Sequence, residues 1–284
     1  MTAVPGARRV SWLDEATATL AEAGVPSPRV DAELLAADVL GRPRPLDTAR
    51  DPGPEYWGLV RRRAAREPLQ HLLGRAWFRH LEVEVGPGVF VPRPETEVVT
   101  QAAIDEAQRC VDIGRRPVVV DLGTGSGVIA LSVASEVPGS VVHAVEVDEQ
   151  AWSWAVRNCA GHPVHLHRAD LRACCPELDG DVDVVVSNPP YIPPDAVPVD
   201  PEVSRYDPPL ALYGGGDDGL DAARAVVARA RRLLREGGLL VMEHAERQSE
   251  DVRGLLGSPW REVTPHRDLA RRPRFVTARR TAAS

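Results

Sequence analysis

The chain has 284 residues, 43% of them apolar, with 34 basic and 41 acidic side chains and a net charge of −7. That length and apolar content suffice for one large domain plus a small one, whereas the acidity disfavours binding to DNA, where phosphate neutralisation dominates affinity. No run reaches the roughly 18 apolar residues of a membrane span, and the N-terminus lacks the apolar core of a signal peptide, so a cytoplasmic, non-membrane protein is expected.

Helical periodicity dominates residues 1–74. Ser11 and Asp14 resemble a capping box opening a helix over Ser11–Ala23, with Gly24 as its stop. Ser27-Pro28 opens a second helix, with proline at the first position, and Gly41 closes it. A third helix is expected from about Glu55 to Arg66. Its cluster Arg61-Arg62-Arg63 with Arg66 reads as a solvated face, with a contact to a partner or to ribosomal RNA as the alternative. Residues 75–92 read as a two-stranded connector, Phe78–Val85 and Val89–Val91, broken by Gly86-Pro87-Gly88. From Pro94 onward helices and strands alternate, which predicts an α/β domain over 93–284 with a mostly parallel sheet covered on both faces. The ends, Met1–Val10 and Arg279–Ser284, read as mobile tails.

Within that domain, Pro117–Asp121 reads as a buried strand running into Leu122-Gly123-Thr124-Gly125-Ser126-Gly127, and Val128 begins a helix. Strand, glycine turn and helix is a layout for binding a nucleotide-like ligand by close backbone approach. The spacing is neither the dinucleotide fingerprint nor a phosphate-cradling loop, since no Gly-Lys-Ser/Thr follows. The next strand, Val141–Glu146, ends in a carboxylate about twenty residues beyond the glycines, where a ribose-binding acid is expected.

The cysteines Cys110, Cys159, Cys174 and Cys175 match no zinc spacing and read as reduced thiols. His162, His165 and His167, with Cys159 and Asp170 nearby, are residue types that bind metals. Strand alternation puts only His165 and His167 on one face, and Pro163 separates His162 from them, so no metal is expected.

The strand Val182–Ser187 leads into Asn188-Pro189-Pro190-Tyr191. Ligands bind at the carboxyl ends of strands in open α/β sheets. Two prolines fix the backbone and remove two N–H donors, leaving carbonyl oxygens free to accept. The Asn188 side chain adds an acceptor and Tyr191 a flat ring. Such a site suits a neutral, planar NH₂ group; the alternative is a plain strand-closing turn. Further elements are expected as a helix at Leu220–Glu236, a strand at Leu239–Glu243, a helix at Gln248–Leu256, and strands near Arg261–Pro265 and Arg274–Ala278.

Taken together, the glycine turn, the acid ending the second strand and the Asn-Pro-Pro-Tyr motif resemble the class I S-adenosylmethionine-dependent methyltransferases. The segments Arg66–Gly74, Val91–Glu97, Glu202-Val203, Tyr206-Asp207-Pro208, Gly215-Gly216 and Asp218-Gly219-Leu220 are similar to the glutamine methyltransferases of peptide chain release factors. Glu146, where that family has Asp, Asp207, where it has Glu, and His71, where it has Tyr, depart from the pattern.

The resemblance implies a seven-stranded Rossmann-like methyltransferase sheet ending in an antiparallel hairpin. It implies an N-terminal helical domain that recognises the substrate protein, and S-adenosyl-L-methionine as cofactor with S-adenosyl-L-homocysteine as product. Asp121, Gly123, Thr124, Gly125, Ser126 and Gly127 would line the methionine and sugar portions, Glu146 the ribose, and Asp170 and Leu171 the adenine. Asn188 Oδ1 and the Pro189 carbonyl would accept the amide hydrogens of the target glutamine, with Pro190 and Tyr191 packing beside it. Arg93 and Glu95 match the family, and bracing the domain junction or shaping the substrate entrance is the preferred reading of both. The expected partner is a class I release factor, methylated by a monomer. Alternatives are a ribosomal-protein glutamine methyltransferase, a DNA adenine methyltransferase, and a non-enzymatic module that scaffolds translation factors.

Overall fold

A computed structural model describes residues 11–42 and 50–282. The chain divides into two compact units, one comprising the N-terminal residues through Gly74 together with Val199–Tyr206, the other Arg75–Pro198 with Asp207 onward. The expected tail Met1–Val10 lies outside the described residues.

The first unit is helical: α1 (Trp12–Glu22), α2 (Pro28–Leu40), α3 (Pro54–Ala64) and α4 (Leu69–Leu73). Ser11 caps α1, its hydroxyl accepting from the Asp14 N–H at 3.2 Å. Pro28 starts α2, and Gly41, at φ 58°, ends it in the left-handed conformation glycine favours. The core gathers Leu13, Leu20, Leu35 and Val60 around Tyr56, whose ring meets Trp12 edge-to-face at 5.3 Å. The arginine cluster divides: Arg61 and Arg62 are exposed, as a solvated face requires, whereas Arg63 and Arg66 turn inward. Arg63 is buried and bonds Asp31 at 2.8 Å, while Arg63 and Arg66 both bond Glu202, which belongs to the same unit. Burying a guanidinium is tolerable only with partners of this kind, and the acids that supply them are remote in sequence.

The second unit opens with the hairpin β1 (Arg75–Phe78) and β2 (Leu81–Glu84). The hairpin thus turns at Arg79-His80, not at Gly86-Pro87-Gly88, and Val89–Val91 is not a strand. Arg79 takes φ 53° there. Its N–H donates to Glu97 and its guanidinium to Glu136 and Gln101, so tertiary bonds hold a turn that local chemistry does not announce.

The elements α5 (Thr96–Asp112), β3 (Val118–Leu122), α6 (Val128–Glu136), β4 (Val141–Glu146), α7 (Glu149–Asn158), β5 (Val164–Arg168), β6 (Val182–Ser187), β7 (Leu234–Glu243), β8 (Trp260–Arg267) and β9 (Pro273–Arg280) complete the frame, with a helix at Asp221–Leu233 and a short one at Ser249–Gly254. The seven strands run in the order β5-β4-β3-β6-β7-β9-β8. The first five are parallel, and β9 is antiparallel to both β7 and β8. Alternate residues feed two cores: Val119, Val184 and Val241 pack with α5 and α6, while Val120, Val185 and Leu240 pack with the helix Asp221–Leu233. Arg279 and Arg280 are not tail residues; they end β9, and Arg279 bonds Glu106 at 2.8 Å.

The chain leaves β3 toward β4 on one side and later enters β6 on the other, so the strand order reverses between β3 and β6. That reversal is where such sheets open a ligand crevice at their carboxyl ends. Asp121 is in register with Val186, and the Ser187 hydroxyl donates to the Leu122 carbonyl at 2.6 Å. The glycine turn and the Asn-Pro-Pro-Tyr segment therefore leave the sheet side by side.

Candidate active site

The glycine turn is held from below. The N–H groups of Gly123 and Thr124 both donate to the Val145 carbonyl at 2.9 Å, and the Thr124 hydroxyl donates to the buried Asp121 carboxylate. Burial pushes Asp121 up to about 7, against the stabilising Thr124 bond. Gly123 and Gly125 adopt φ of 76° and 57°, and no atom lies within 4 Å of where a Cβ would stand on either. Their backbone is thus bare toward the crevice. Glu146 ends β4 buried; its Oε2 accepts from the Gly125 N–H and its Oε1 from the N–H groups of Val147 and Asp148, each at 2.9 Å. Burial raises its pKa and these three bonds oppose the rise. A carboxylate has about four acceptor sites, so bracing the turn leaves capacity for a hydroxyl. Asp170 is exposed at the end of β5, accepts from the Arg172 N–H at 2.8 Å, and pairs with that guanidinium; Leu171 beside it is half-buried.

At the second segment, Asn188 Nδ2 donates to Thr96 Oγ1 at 3.2 Å. Among the described residues no donor reaches Asn188 Oδ1 or the Pro189 carbonyl oxygen. Two acceptors therefore stand free beside a half-buried Tyr191, whose hydroxyl is pushed up to about 12 by burial and then by nearby Glu243.

Several residues that shape this segment escape sequence reading. Gln248 Nε2 donates to the Tyr191 carbonyl at 2.8 Å, and the Ile192 N–H donates to Leu212 at 2.8 Å. The glycines after Tyr213 press directly on the motif: a Cβ on Gly214 would stand 2.7 Å from the Pro190 oxygen, and one on Gly219 2.7 Å from the Tyr191 oxygen. Asn158, ending α7, donates to the Ser126 carbonyl at 2.9 Å and steadies the glycine turn. Arg93 braces the buried Asp207 carboxylate at 2.6 Å and touches neither free acceptor.

The histidines gather differently from their sequence grouping. His143, His165 and His167 stack on one face, and Cys159 packs beside Gly127 in the core of the other face. Among the described residues, the group with ligand atoms within 4.8 Å of one another is His167, Cys175 and Glu177; a nitrogen of His167 already bonds His143 at 2.9 Å.

Residues 11–74 match the family model for the PrmC N-terminal domain, and residues 86–199 match the methyltransferase small domain. The release factor glutamine methyltransferase of Streptomyces coelicolor is 53% identical over 272 residues, covering 94% of this chain and 96% of that protein. This chain belongs to the release factor glutamine methyltransferase family. A wider relation is to the 4-amino-L-phenylalanine/4-methylamino-L-phenylalanine methyltransferase of Streptomyces pristinaespiralis, 43% identical and covering 86% of this chain and 85% of that protein. Among solved structures, a methyltransferase from Pyrococcus furiosus superposes with a TM-score of 0.50 at 18% identity, over 71% of this chain and 90% of that chain. That likeness establishes the shared sheet architecture.

Proposed function

We propose that this enzyme methylates the side-chain amide nitrogen of the glutamine in the Gly-Gly-Gln loop of class I release factors, using S-adenosyl-L-methionine and releasing S-adenosyl-L-homocysteine. The cofactor supplies a methyl group activated on a sulfonium. The residues present fit it: bare backbone at Gly123 and Gly125, and a buried carboxylate at Glu146 with acceptor capacity for a ribose hydroxyl. Asp121 and Thr124 shape the turn, Ser126 and Gly127 carry it into α6, and Asp170 and Leu171 serve the adenine end.

The observation that carries the reading is the pair of free acceptors at Asn188 Oδ1 and the Pro189 carbonyl. An amide nitrogen is a weak nucleophile because its lone pair is delocalised into its carbonyl. Its N–H is too weak an acid for a side-chain base to remove at neutral pH. The site therefore works by placement. The two acceptors hold both N–H bonds in one plane, pull electron density toward nitrogen and leave its lone pair facing the turn side of the crevice. Tyr191 and Pro190 pack against the planar group. Once nitrogen has gained the methyl it is strongly acidic, and water takes the proton.

The helical unit recognises the folded release factor, and the enzyme acts as a cytoplasmic monomer. No helix among the described residues is long and apolar enough to cross a membrane. Asn188→Ala tests the reading: turnover drops at least a hundredfold while cofactor affinity, read by calorimetry, stays within about twofold. Near-normal turnover would sink the two-acceptor clamp. Because the same acceptors could hold an aryl amine, 4-amino-L-phenylalanine belongs in the assay; methylation of it alone would move the substrate assignment to that relative's class.

A further inference from the structure

Asn188 is useful as a clamp only if Oδ1, and not Nδ2, faces the substrate. A carboxamide is nearly symmetric in shape, so packing alone does not choose between its two orientations. The choice has to come from a neighbour that can only donate or only accept. Thr96, the first residue of α5, meets Asn188 Nδ2 at 3.2 Å. A hydroxyl alone is ambivalent, because it both donates and accepts. Here its single hydrogen is committed: Thr96 Oγ1 donates to Glu243 Oε2 at 2.8 Å. With that hydrogen given away, the oxygen lobe facing Asn188 can only accept, so the amide must turn Nδ2 toward Thr96 and Oδ1 away.

Thr96 and Glu243 are both buried, so water does not compete for these bonds. Three elements meet here: α5 supplies Thr96, the end of β6 supplies Asn188, and the end of β7 supplies Glu243, with Ser187 paired to Met242 in the sheet. We infer that Thr96 and Glu243 are positioning residues that set the amide orientation of Asn188 through a one-way hydrogen-bond relay. The inference rests on the reading of Asn188 as the substrate's acceptor.

The relay's direction depends on an ionised Glu243. Burial raises this carboxyl to about 7, with the Thr96 bond and Arg274 opposing the rise and Glu95 and Asp268 adding to it; Tyr191 also faces it. Protonated Glu243 can donate to Thr96, which frees the threonine hydrogen for Asn188 Oδ1 and lets the amide flip. Asp121 titrates in the same range, so the informative quantity is the difference between wild type and a Glu243 variant.

The experiment is a double-mutant cycle on methyl transfer to intact release factor, with cofactor affinity and melting temperature measured for each variant. Thr96→Val removes the hydroxyl at nearly constant volume and is expected to lower kcat roughly ten- to a hundredfold with little change in cofactor affinity. Thr96→Ser, which keeps the hydroxyl, is expected to restore most of it. In an Asn188→Ala background Thr96→Val is expected to add nothing. Glu243→Gln removes the ionisation at this position and is expected to lose the decline in turnover that wild type shows as pH falls through about 7. Thr96→Val with full turnover, a multiplicative loss in the double variant, or an unchanged acid limb in Glu243→Gln each overturns the relay while leaving the clamp standing. Full turnover by Asn188→Ala overturns both.

Discussion

Replacing Glu202 with alanine should loosen the helical unit by about 3 kcal/mol. The carboxylate accepts from Arg66 Nε and Arg63 Nη1 at 2.8 Å on one oxygen and from Arg66 Nη2 at 2.6 Å on the other. The side chains involved are 6–14% exposed, so water screens them weakly. Burial alone would raise the Glu202 pKa, but the bonds from Arg66 and Arg63 outweigh it and hold the group at about 2, against an ordinary 4.5. That gap converts, at about 1.4 kcal/mol per pH unit, to about 3 kcal/mol. Breaking one side of a buried pair costs about 3–5 kcal/mol by independent experience; here Arg66 loses both its bonds to Glu202, while Arg63 keeps Asp31. The sign follows from a lowered carboxyl pKa: the stabilisation is complete above pH 4.5 and is lost as pH falls toward 2. With two compact units a single melting temperature is ambiguous, so the assay is amide hydrogen exchange of the full chain at pH 7, read on peptides from α3. About 3 kcal/mol corresponds to a roughly hundredfold loss of protection there. Unchanged protection of α3 would refute the claim that this ion-pair group anchors Val199–Tyr206 to the helical unit.

Three other substitutions probe the site and its frame. Gly219→Ala, whose Cβ would stand 2.7 Å from the Tyr191 oxygen at φ 73°, should displace the motif and cut turnover at least tenfold, and wild-type kinetics would contradict the close packing. Glu146→Ala should weaken S-adenosyl-L-methionine binding by a factor of ten or more in calorimetry, since it removes charge-assisted bonds worth about 1.5–3 kcal/mol each; unchanged affinity would remove Glu146 from the cofactor site. Arg93→Ala should leave Asp207 buried without its cation and lower stability by about 3 kcal/mol at neutral pH. The deficit should shrink as pH falls, because burial already raises the Asp207 pKa and the protonated form tolerates the loss. A deficit that grows in acid would show that Arg93 does something else.

The parts of this molecule that are local were legible in the sequence. β4 and β6 run as expected, because apolar β-branched runs bounded by glycine, proline or a strand-end acid leave little choice. The caps at Ser11, Pro28 and Gly41 acted through their nearest neighbours in the chain. What stayed hidden depends on partners far away. Arg63 looked like one member of a basic face, and its burial follows from Asp31 and a carboxylate 139 residues on. The hairpin turn at Arg79 is held by Glu97, Gln101 and Glu136, whereas the stronger local signal at Gly86-Pro87-Gly88 makes no hairpin. The site divides along the same line. The Asn-Pro-Pro-Tyr motif and glycine turn are contiguous and could be read directly. The Thr96–Glu243 bond joins residues 147 apart, and nothing local marks either as a partner of Asn188.

Methyl transfer to a release-factor glutamine at the Asn188–Pro189 clamp leaves a product that can be weighed. The most direct measurement is peptide mass spectrometry after incubating the full-length enzyme with S-adenosyl-L-methionine and unmethylated class I release factor from the same cell. One added methyl is expected on the Gly-Gly-Gln glutamine, absent with Asn188→Ala. An unmodified glutamine, from enzyme shown to bind the cofactor, would contradict it.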